Sequence, residues 1–154
     1  MERAWKPNVT VAAVVCRDGK FLLVEEEIGG DFRFNQPAGH LEQGESLVEA
    51  VVRECREETG YDFEPRALLG IYQWPRPTGG VTYLRFAFTG ELVGHDPERP
   101  LDTGILRACW LTIEEMRASV ARHRSPLILR CVEDYRAGRR LPLDAIVHYD
   151  QFHA

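Results

Sequence analysis

A single amphipathic helix set between strand-forming runs most constrains how this chain can fold. From Ser46 to Thr59, apolar residues recur at spacings of three and four, and Gly60 follows where a left-handed helix cap is favoured. Runs typical of extended strands lie on both sides of this helix, over residues 9–16, 21–24, 32–37, 67–74, 81–92 and 105–111. This order predicts an α+β fold or a mixed β-sheet with flanking helices.

The first two apolar runs are separated by a turn signal. Val9–Cys16 and Phe21–Val24 flank Asp18-Gly19, a dipeptide that favours a tight hairpin turn. We therefore expect these two runs to pair with each other as a β-hairpin. Two further helices are predicted, over residues 112–116 and over residues 124–136.

The composition is that of one globular domain over residues 1–154. With 154 residues, 44% hydrophobic and 28% charged, the chain is short for two domains of roughly 100–150 residues each. Its four cysteines show no metal-ligand spacing, which favours reduced thiols and a cytoplasmic location. The sequence has no apolar run of membrane-spanning length, and a net charge of −5 argues against binding to nucleic acid.

Three carboxylates share one face of the predicted helix. Glu54, Glu57 and Glu58 are three and four residues apart, and they flank the apolar stripe where partial burial increases their repulsion. A hard divalent cation such as Mg²⁺ would relieve this repulsion, and Mg²⁺ in proteins usually bridges carboxylates to substrate phosphates. Arg53 can pair with Glu49 and Glu57. The alternative interpretation is an ordinary charged face exposed to solvent.

The segment before the helix favours the metal interpretation. Gly39 lets the main chain come close to a ligand, and Glu45 suits the start of a helix. In spacing and identity, residues 39–61 resemble the signature of the Nudix hydrolases. All seven fixed positions of that signature are matched, by Gly39, Glu45, Arg53, Glu54, Glu57, Glu58 and Gly60.

The resemblance implies a reaction and a set of metal ligands. Nudix hydrolases cleave nucleoside diphosphates linked to another group, and related pyrophosphates, with Mg²⁺ or Mn²⁺. The resemblance also implies their fold, an α/β/α sandwich with a mixed β-sheet between helices. Carried over position by position, the resemblance makes Glu57 and Glu58 metal ligands, together with the main-chain carbonyl of Gly39. Such metals neutralise phosphate charge and activate the attacking water.

The resemblance also suggests the residues of the chemical step. Glu54 would be a metal ligand or the base that deprotonates water, Arg53 would orient it, and Glu45 would support the loop before the helix. Some family members take their base from a later loop. The candidates there are Asp96, Glu98 and Asp102, of which Asp102 is favoured because it lies just before the predicted strand at residue 105.

A closer resemblance to one branch of the family covers most of the chain. It rests on residues 34–42, 73–74, 84–86 and 124–127 and on an end pattern of Gly138, Arg140, Pro142 and Leu143, which lie largely outside the signature. Members of that branch release orthophosphate from nucleoside tri- and diphosphates, and from thiamine pyrophosphate or its pyrimidine pyrophosphate precursor. The resemblance therefore implies a small-molecule phosphatase with little base selectivity.

The sequence suggests contacts to such a substrate but leaves alternatives open. Trp74 could stack on a base or be a core residue, and Arg85 could reach a phosphate or lie on the surface. Arg124-Ser125-Pro126 favours a helix start over a substrate contact. Polar residues near the metal loop that could touch the substrate are Asn35, Gln36 and His40.

Two other functions compete with this interpretation. One is hydrolysis of ADP-ribose or another nucleoside diphosphate derivative, for which Pro75 and Pro77 give a weak cue by their distance from the signature. The other is a catalytically silent sensor with the same fold, although such proteins usually lose carboxylates of the signature. The sequence leaves open whether the protein is a monomer or a homodimer.

Overall fold

Two four-stranded sheets and three α-helices make up the part of the chain described here, residues 3–150 of a computed structural model. The helices are α1 (Leu47–Thr59), α2 (Ile113–Ala118) and α3 (Leu127–Arg136), with short 3₁₀ turns at Val120–Arg122 and Leu143–Ala145. The strands are β1 (Asn8–Val14), β2 (Cys16–Arg17), β3 (Lys20–Ile28), β4 (Asp31–Asn35), β5 (Ala38–His40), β6 (Tyr61–Pro75), β7 (Thr82–His95) and β8 (Ile105–Leu111).

The first sheet is mixed, and the second is antiparallel. In the first, the strand order is β5-β1-β7-β6, and β1 runs parallel to β7 while the other pairs are antiparallel. In the second, β3 pairs with β2, β4 and β8. One buried cluster includes Val51 and Cys55 of α1, and another includes Met116 of α2 with Ile128 and Cys131 of α3. The predicted α+β class, with a mixed sheet flanked by helices, is confirmed.

The expected hairpin between the first two apolar runs is wrong for most of its length. Cys16 and Arg17 pair with β3 across a turn in which Asp18 and Gly19 have φ of 51° and 75°, and the Leu22 N–H donates to the Val15 carbonyl at 3.0 Å. The rest of the first run is β1, which pairs with β5 and β7 in the other sheet. Its apolar residues Val11–Val14 are all buried, as expected of a strand covered on both faces.

The boundaries of α1 agree with the local sequence signals. Ser46 Oγ accepts a hydrogen bond from the Glu49 N–H at 3.0 Å, and the Glu49 carboxylate accepts one from the Ser46 N–H at 3.2 Å. Gly60 ends the helix with φ 75°. Since Glu49 serves this capping box, the expected ion pair of Arg53 with Glu49 is wrong, and within residues 3–150 Arg53 pairs with other carboxylates.

Residues 120–125, called the strap below, connect α2 to α3 and run along β4. His123 forms a parallel bridge with Phe34, and the Arg124 N–H donates to the Phe34 carbonyl at 2.9 Å. Ser125 Oγ accepts from the Leu127 N–H at 3.2 Å, so the predicted helix begins directly after the strap. The strap therefore lies beside the residues that lead into the signature. None of the three helices, which all lie in the described range, is long and apolar enough to cross a membrane.

Candidate active site

A cavity of about 840 Å³ opens beside α1 and is lined by residues of both sheets, α1 and the strap. Its lining includes two buried carboxylates of α1, Glu54 and Glu58. It also includes a buried arginine of β7, Arg85, and two aromatic residues, Trp74 and Tyr83. The cavity therefore combines acidic groups suited to a cation with groups suited to a phosphate and a planar ring.

Three carboxylates converge beside this cavity, and of these Glu54 is the one that belongs to its lining. Glu54, Glu57 and Asp102 each place an oxygen within 4.8 Å of the other two. Asp102 is brought there by the main chain, because its N–H donates to the Glu57 carbonyl at 3.0 Å, in the last turn of α1 where carbonyls lack helical partners. Asp96 instead accepts a hydrogen bond from the Glu98 N–H. An all-oxygen donor set of this kind suits a hard divalent cation.

Arg53 links the carboxylate cluster to the loop before α1. Its Nη1 donates to Glu54 Oε1 at 2.8 Å and to Glu57 Oε2 at 3.2 Å. Its Nε and Nη2 form a bidentate pair with Glu45 at 3.0 and 2.7 Å, and Nη2 also donates to the His40 carbonyl. The pairing with Glu45 raises the pKa of Arg53 further, and the same pairing lowers the pKa of Glu45. Arg53 therefore fixes the orientation of Glu54 and Glu57.

Gly39 lies directly against the Glu54 carboxylate. A Cβ atom added at Gly39 would overlap the Glu54 carboxyl group. Residue 39 is thus required to be glycine by close approach, and its main chain lies next to the carboxylate cluster. The role of the Gly39 carbonyl as a metal ligand stays a prediction.

Glu58 is not one of the three clustered carboxylates, although it lies close enough to Glu54 and Asp102 to feel their charge. It is 7% exposed, and its Oε1 accepts a hydrogen bond from the Ala38 N–H at 2.8 Å. Burial raises the pKa of the Glu58 carboxyl from 4.5 to about 9. Because Glu58 still lines the cavity, its role as a metal ligand stays a prediction.

The raised pKa of Glu58 predicts how stability depends on pH when no metal is bound. Between pH 4.5 and about 9 the folded protein holds a proton that the unfolded chain releases. In EDTA, the free energy of unfolding should therefore fall as the pH rises through this range. The Glu58→Gln variant should show a flatter profile, measured by urea denaturation at a series of pH values. Identical profiles for the two proteins would contradict a raised pKa.

Arg85 is a buried cation with neutral protein partners. It is 6% exposed, and its guanidinium donates to Gln36 Oε1 at 2.9 Å and to Asn35 Oδ1 at 3.0 Å. No carboxylate within residues 3–150 forms an ion pair with it. A buried charge without a counter-ion is costly, so an anion in the cavity would stabilise it. The surface position considered for Arg85 is wrong.

The three polar residues near the metal loop have different surroundings. Asn35 and His40 line the cavity, with Asn35 buried and His40 exposed. Gln36 is fully buried and is not part of the lining. Its Nε2 donates to the Ile128 carbonyl at 2.8 Å while its Oε1 accepts from Arg85. Both ends of the Gln36 amide thus hold Arg85 to α3, and a direct contact of Gln36 with substrate stays a prediction.

Trp74 lies in the cavity wall, paired with an aromatic residue that the sequence analysis missed. Trp74 and Tyr83 are partners on adjacent strands, with ring centroids 5.9 Å apart and planes inclined by 16°. Both are half-buried and line the cavity, so Trp74 is not a core residue. The signal for Tyr83 was its spacing of two from Arg85, because such residues share one face of a strand.

Comparison with known proteins gives consistent matches. The profile of the NUDIX domain matches residues 6–131. The chain is 44% identical over 142 residues to Phosphatase NudJ of Escherichia coli K12, covering 92% of each protein. A solved NUDIX hydrolase from Nitrosomonas europaea is 56% identical, with a TM-score of 0.91 over 94% of this chain and 98% of the other.

Proposed function

The chain belongs to the Nudix family of hydrolases, which act on phosphorus-containing acid anhydrides, and from this premise we propose that it is a metal-dependent phosphatase that releases orthophosphate. Its substrates would be nucleoside tri- and diphosphates, thiamine pyrophosphate or its pyrimidine pyrophosphate precursor. The single observation that carries the proposal is the cluster of Glu54, Glu57 and Asp102 at the edge of a cavity that also holds a buried arginine. The similarity to Phosphatase NudJ supports the release of orthophosphate.

The cluster supplies the ligands for a divalent cation, which we propose to be Mg²⁺, with Mn²⁺ as the alternative. Glu57 and Asp102 would hold the ion through carboxylate oxygens, and Glu54 lies beside it as a third ligand or as the base. Glu58 and the Gly39 carbonyl remain proposed additional ligands. When bound, such an ion neutralises phosphate charge and makes a bound water more acidic. Arg53 supplies one positive charge against the three carboxylates and bonds to Glu54 and Glu57 only, so negative charge is left over for a divalent cation, which supports this assignment.

The residues around the cluster are placed for hydrolysis of a phosphoanhydride. Arg53 holds Glu54 through Oε1, and Oε2 makes no hydrogen bond within residues 3–150. We assign to Glu54 the removal of a proton from water as the water oxygen forms its bond to the terminal phosphorus. The bond from that phosphorus to the bridging oxygen breaks, and the bridging oxygen leaves with its electron pair. Asp102, in the loop before β8, is the alternative base.

The remainder of the cavity suits the rest of such a substrate. Arg85 offers a buried positive charge to a phosphate, and Asn35 and His40 offer polar groups beside it. Trp74 and Tyr83 offer a stacking surface that accepts any base or a thiamine pyrimidine. This combination supports low selectivity for the base.

The location and extent of the protein are also proposals. The four cysteines are free thiols in the structure, which supports a reducing compartment such as the cytoplasm. The two sheets and the helices pack into one unit over the described residues, which supports a single catalytic domain with the Nudix signature at residues 39–61.

Product analysis tests the proposed function. The protein is incubated with Mg²⁺ and nucleoside tri- and diphosphates, thiamine pyrophosphate, its pyrimidine pyrophosphate precursor or ADP-ribose, and orthophosphate and pyrophosphate are measured separately. We expect orthophosphate from several terminal phosphates, and no product in EDTA. Turnover of ADP-ribose alone would replace the phosphatase proposal with a pyrophosphatase. No turnover of any substrate would favour a silent sensor.

Replacing Trp74 with alanine should raise KM for nucleotides and thiamine pyrophosphate by about 10-fold, the size expected for one lost stacking contact. The kcat should change less, because Trp74 is on β6, whereas the carboxylate cluster is on α1 and on the loop between β7 and β8. The matched control is Trp110→Ala, since Trp110 is also half-buried but packs on Tyr61 outside the cavity lining. An unchanged KM in Trp74→Ala would contradict a stacking role.

A further inference from the structure

Arg124 of the strap is fixed to a buried carboxylate and lines the cavity. Its Nη1 donates to Glu26 Oε2 at 2.6 Å, and its main-chain N–H is bonded to Phe34 of β4. Glu26 is 5% exposed, whereas the Arg124 side chain is 48% exposed. Both residues line the cavity that contains Glu54. Within residues 3–150, Nε and Nη2 of Arg124 donate to no other protein group, so these donors are available to a ligand.

A second ion pair of the strap, between Arg122 and Glu25, lies outside the cavity lining. Arg122 pairs with Glu25, which also accepts a hydrogen bond from Arg107 at 3.0 Å. Glu25 and Glu26 point to opposite sides of β3 because successive side chains of a strand alternate, and neither Glu25 nor Arg122 lines the cavity. The Arg122–Glu25 pair therefore anchors the strap, and the strap does not depend on Arg124 alone for its position.

The charge of Glu26 is unfavourable for a cavity that receives a pyrophosphate. Glu26 is close enough to Glu58 to contribute to the raised pKa of that carboxyl. A further negative charge here would repel an anionic substrate, unless it serves to hold a positive group in place. The only such group on Glu26 within residues 3–150 is the guanidinium of Arg124. The pair therefore presents a guanidinium in a fixed position.

We infer that Arg124 binds a non-bridging oxygen of the substrate's pyrophosphate group and that Glu26 is the positioning residue that holds Arg124 for this contact. The inference rests on the proposed function, since it names a phosphate contact of the same site. Guanidinium groups bind phosphate oxygens through strong charge-assisted hydrogen bonds. Arg85 on β7 and Arg124 on the strap then hold the phosphates from two separate elements, while the carboxylates of α1 hold the cation.

Kinetics of single and double variants test this inference. Arg124→Ala should raise KM for a nucleoside diphosphate by about 10-fold or more, with a smaller change in kcat, because a charge-assisted hydrogen bond is lost. Arg124→Lys should recover part of this loss, since it keeps the positive charge. Glu26→Gln should also raise KM, because Arg124 then loses the partner that holds it.

The double variant Glu26→Gln/Arg124→Ala separates contact from simple neutralisation. If Arg124 contacts the phosphate, the double variant keeps the high KM of Arg124→Ala. If Arg124 only neutralises Glu26, removing both charges returns KM to the wild-type value, and that result would overturn the inference. An unchanged KM in Arg124→Ala would overturn it as well.

Glu25→Gln is the matched control, because it weakens the strap's other ion pair on the far side of the same strand. It should lower the melting temperature and leave KM unchanged, and a rise in KM equal to that of Arg124→Ala would overturn the inference. Calorimetric affinity for a nucleoside methylenediphosphonate gives a readout without turnover, and Arg124→Ala should weaken it. An inactive wild-type protein would contradict the proposed function, whereas an active Arg124→Ala variant with unchanged KM and affinity would contradict only this inference.

Discussion

Replacing Glu57 with glutamine should lower kcat by about 1,000-fold or more, because a metal centre contributes several kcal/mol of charge stabilisation and each 1.4 kcal/mol is tenfold in rate. The substitution removes one of three converging carboxylates and weakens the interaction of residue 57 with Arg53. The fold should persist, since one fewer negative charge relieves repulsion on that face of α1. The measurement is steady-state turnover at saturating Mg²⁺, with the melting temperature measured in parallel.

Glu64→Gln is the control for this substitution. Glu64 lies on β6, is about half exposed and pairs only with Arg66 among the described residues. It changes the net charge by the same amount and should leave kcat unaltered. If Glu57→Gln keeps near-wild-type turnover, Glu57 does not hold a catalytic metal.

Replacing Gly39 with alanine should be nearly as damaging, with kcat lowered by about 100-fold or more, the loss expected when catalytic groups are misplaced by about 1 Å. The added Cβ would overlap the Glu54 carboxyl group, so Glu54 or the main chain at residue 39 must move. Either movement disturbs the carboxylate cluster. Turnover and the affinity for Mn²⁺, which can be followed by electron paramagnetic resonance, should both fall.

Gly138→Ala is the control for Gly39→Ala, because it adds the same methyl group to a glycine away from the carboxylate cluster. Gly138 follows α3 with φ 83°, and no atom lies within 4 Å of an added Cβ. This variant should lose about 1 kcal/mol of stability through backbone strain and keep its kcat. Wild-type turnover in Gly39→Ala would show that the Glu54 carboxylate can shift without cost to the reaction.

The helix and its carboxylates could be predicted because their signals are local. Ser46, Glu49 and Gly60 fix the ends of α1 within a few residues of themselves. The spacing of Glu54 and Glu57 fixes their common face in the same way. Asp102 could be selected only by its position before β8, and the structure brings it to the other two through the main chain at the end of α1.

The pairing of β1 could not be predicted from its own residues. An unbroken apolar run shows that a strand is buried, but the partners of β1 come from β5 and β7, far along the chain. The turn signal at Asp18-Gly19 indicated the turn itself and not the length of the pairing. Long-range register depends on which sheets pack together, and no local pattern carries that information.

The burial of Arg85 could likewise not be predicted from the sequence. Alternation placed its side chain on one face of β7, but whether that face is covered depends on Asn35 at the end of β4 and on Gln36, which follows it. Gln36 is in turn oriented by the main chain of α3. Three separate elements decide the surroundings of this one guanidinium.

Main-chain hydrogen bonds fix the position of residue 102, whatever side chain it carries. The loop is held there by the bond from the Asp102 N–H to Glu57 and by the bond from the Ile105 N–H back to the Asp102 carbonyl, at 3.0 Å each. Neither bond uses the side chain. A substitution at residue 102 therefore changes the side chain offered to the carboxylate cluster and leaves the main-chain position of the loop unchanged. This makes residue 102 a suitable position for engineering different metal-binding side chains next to α1.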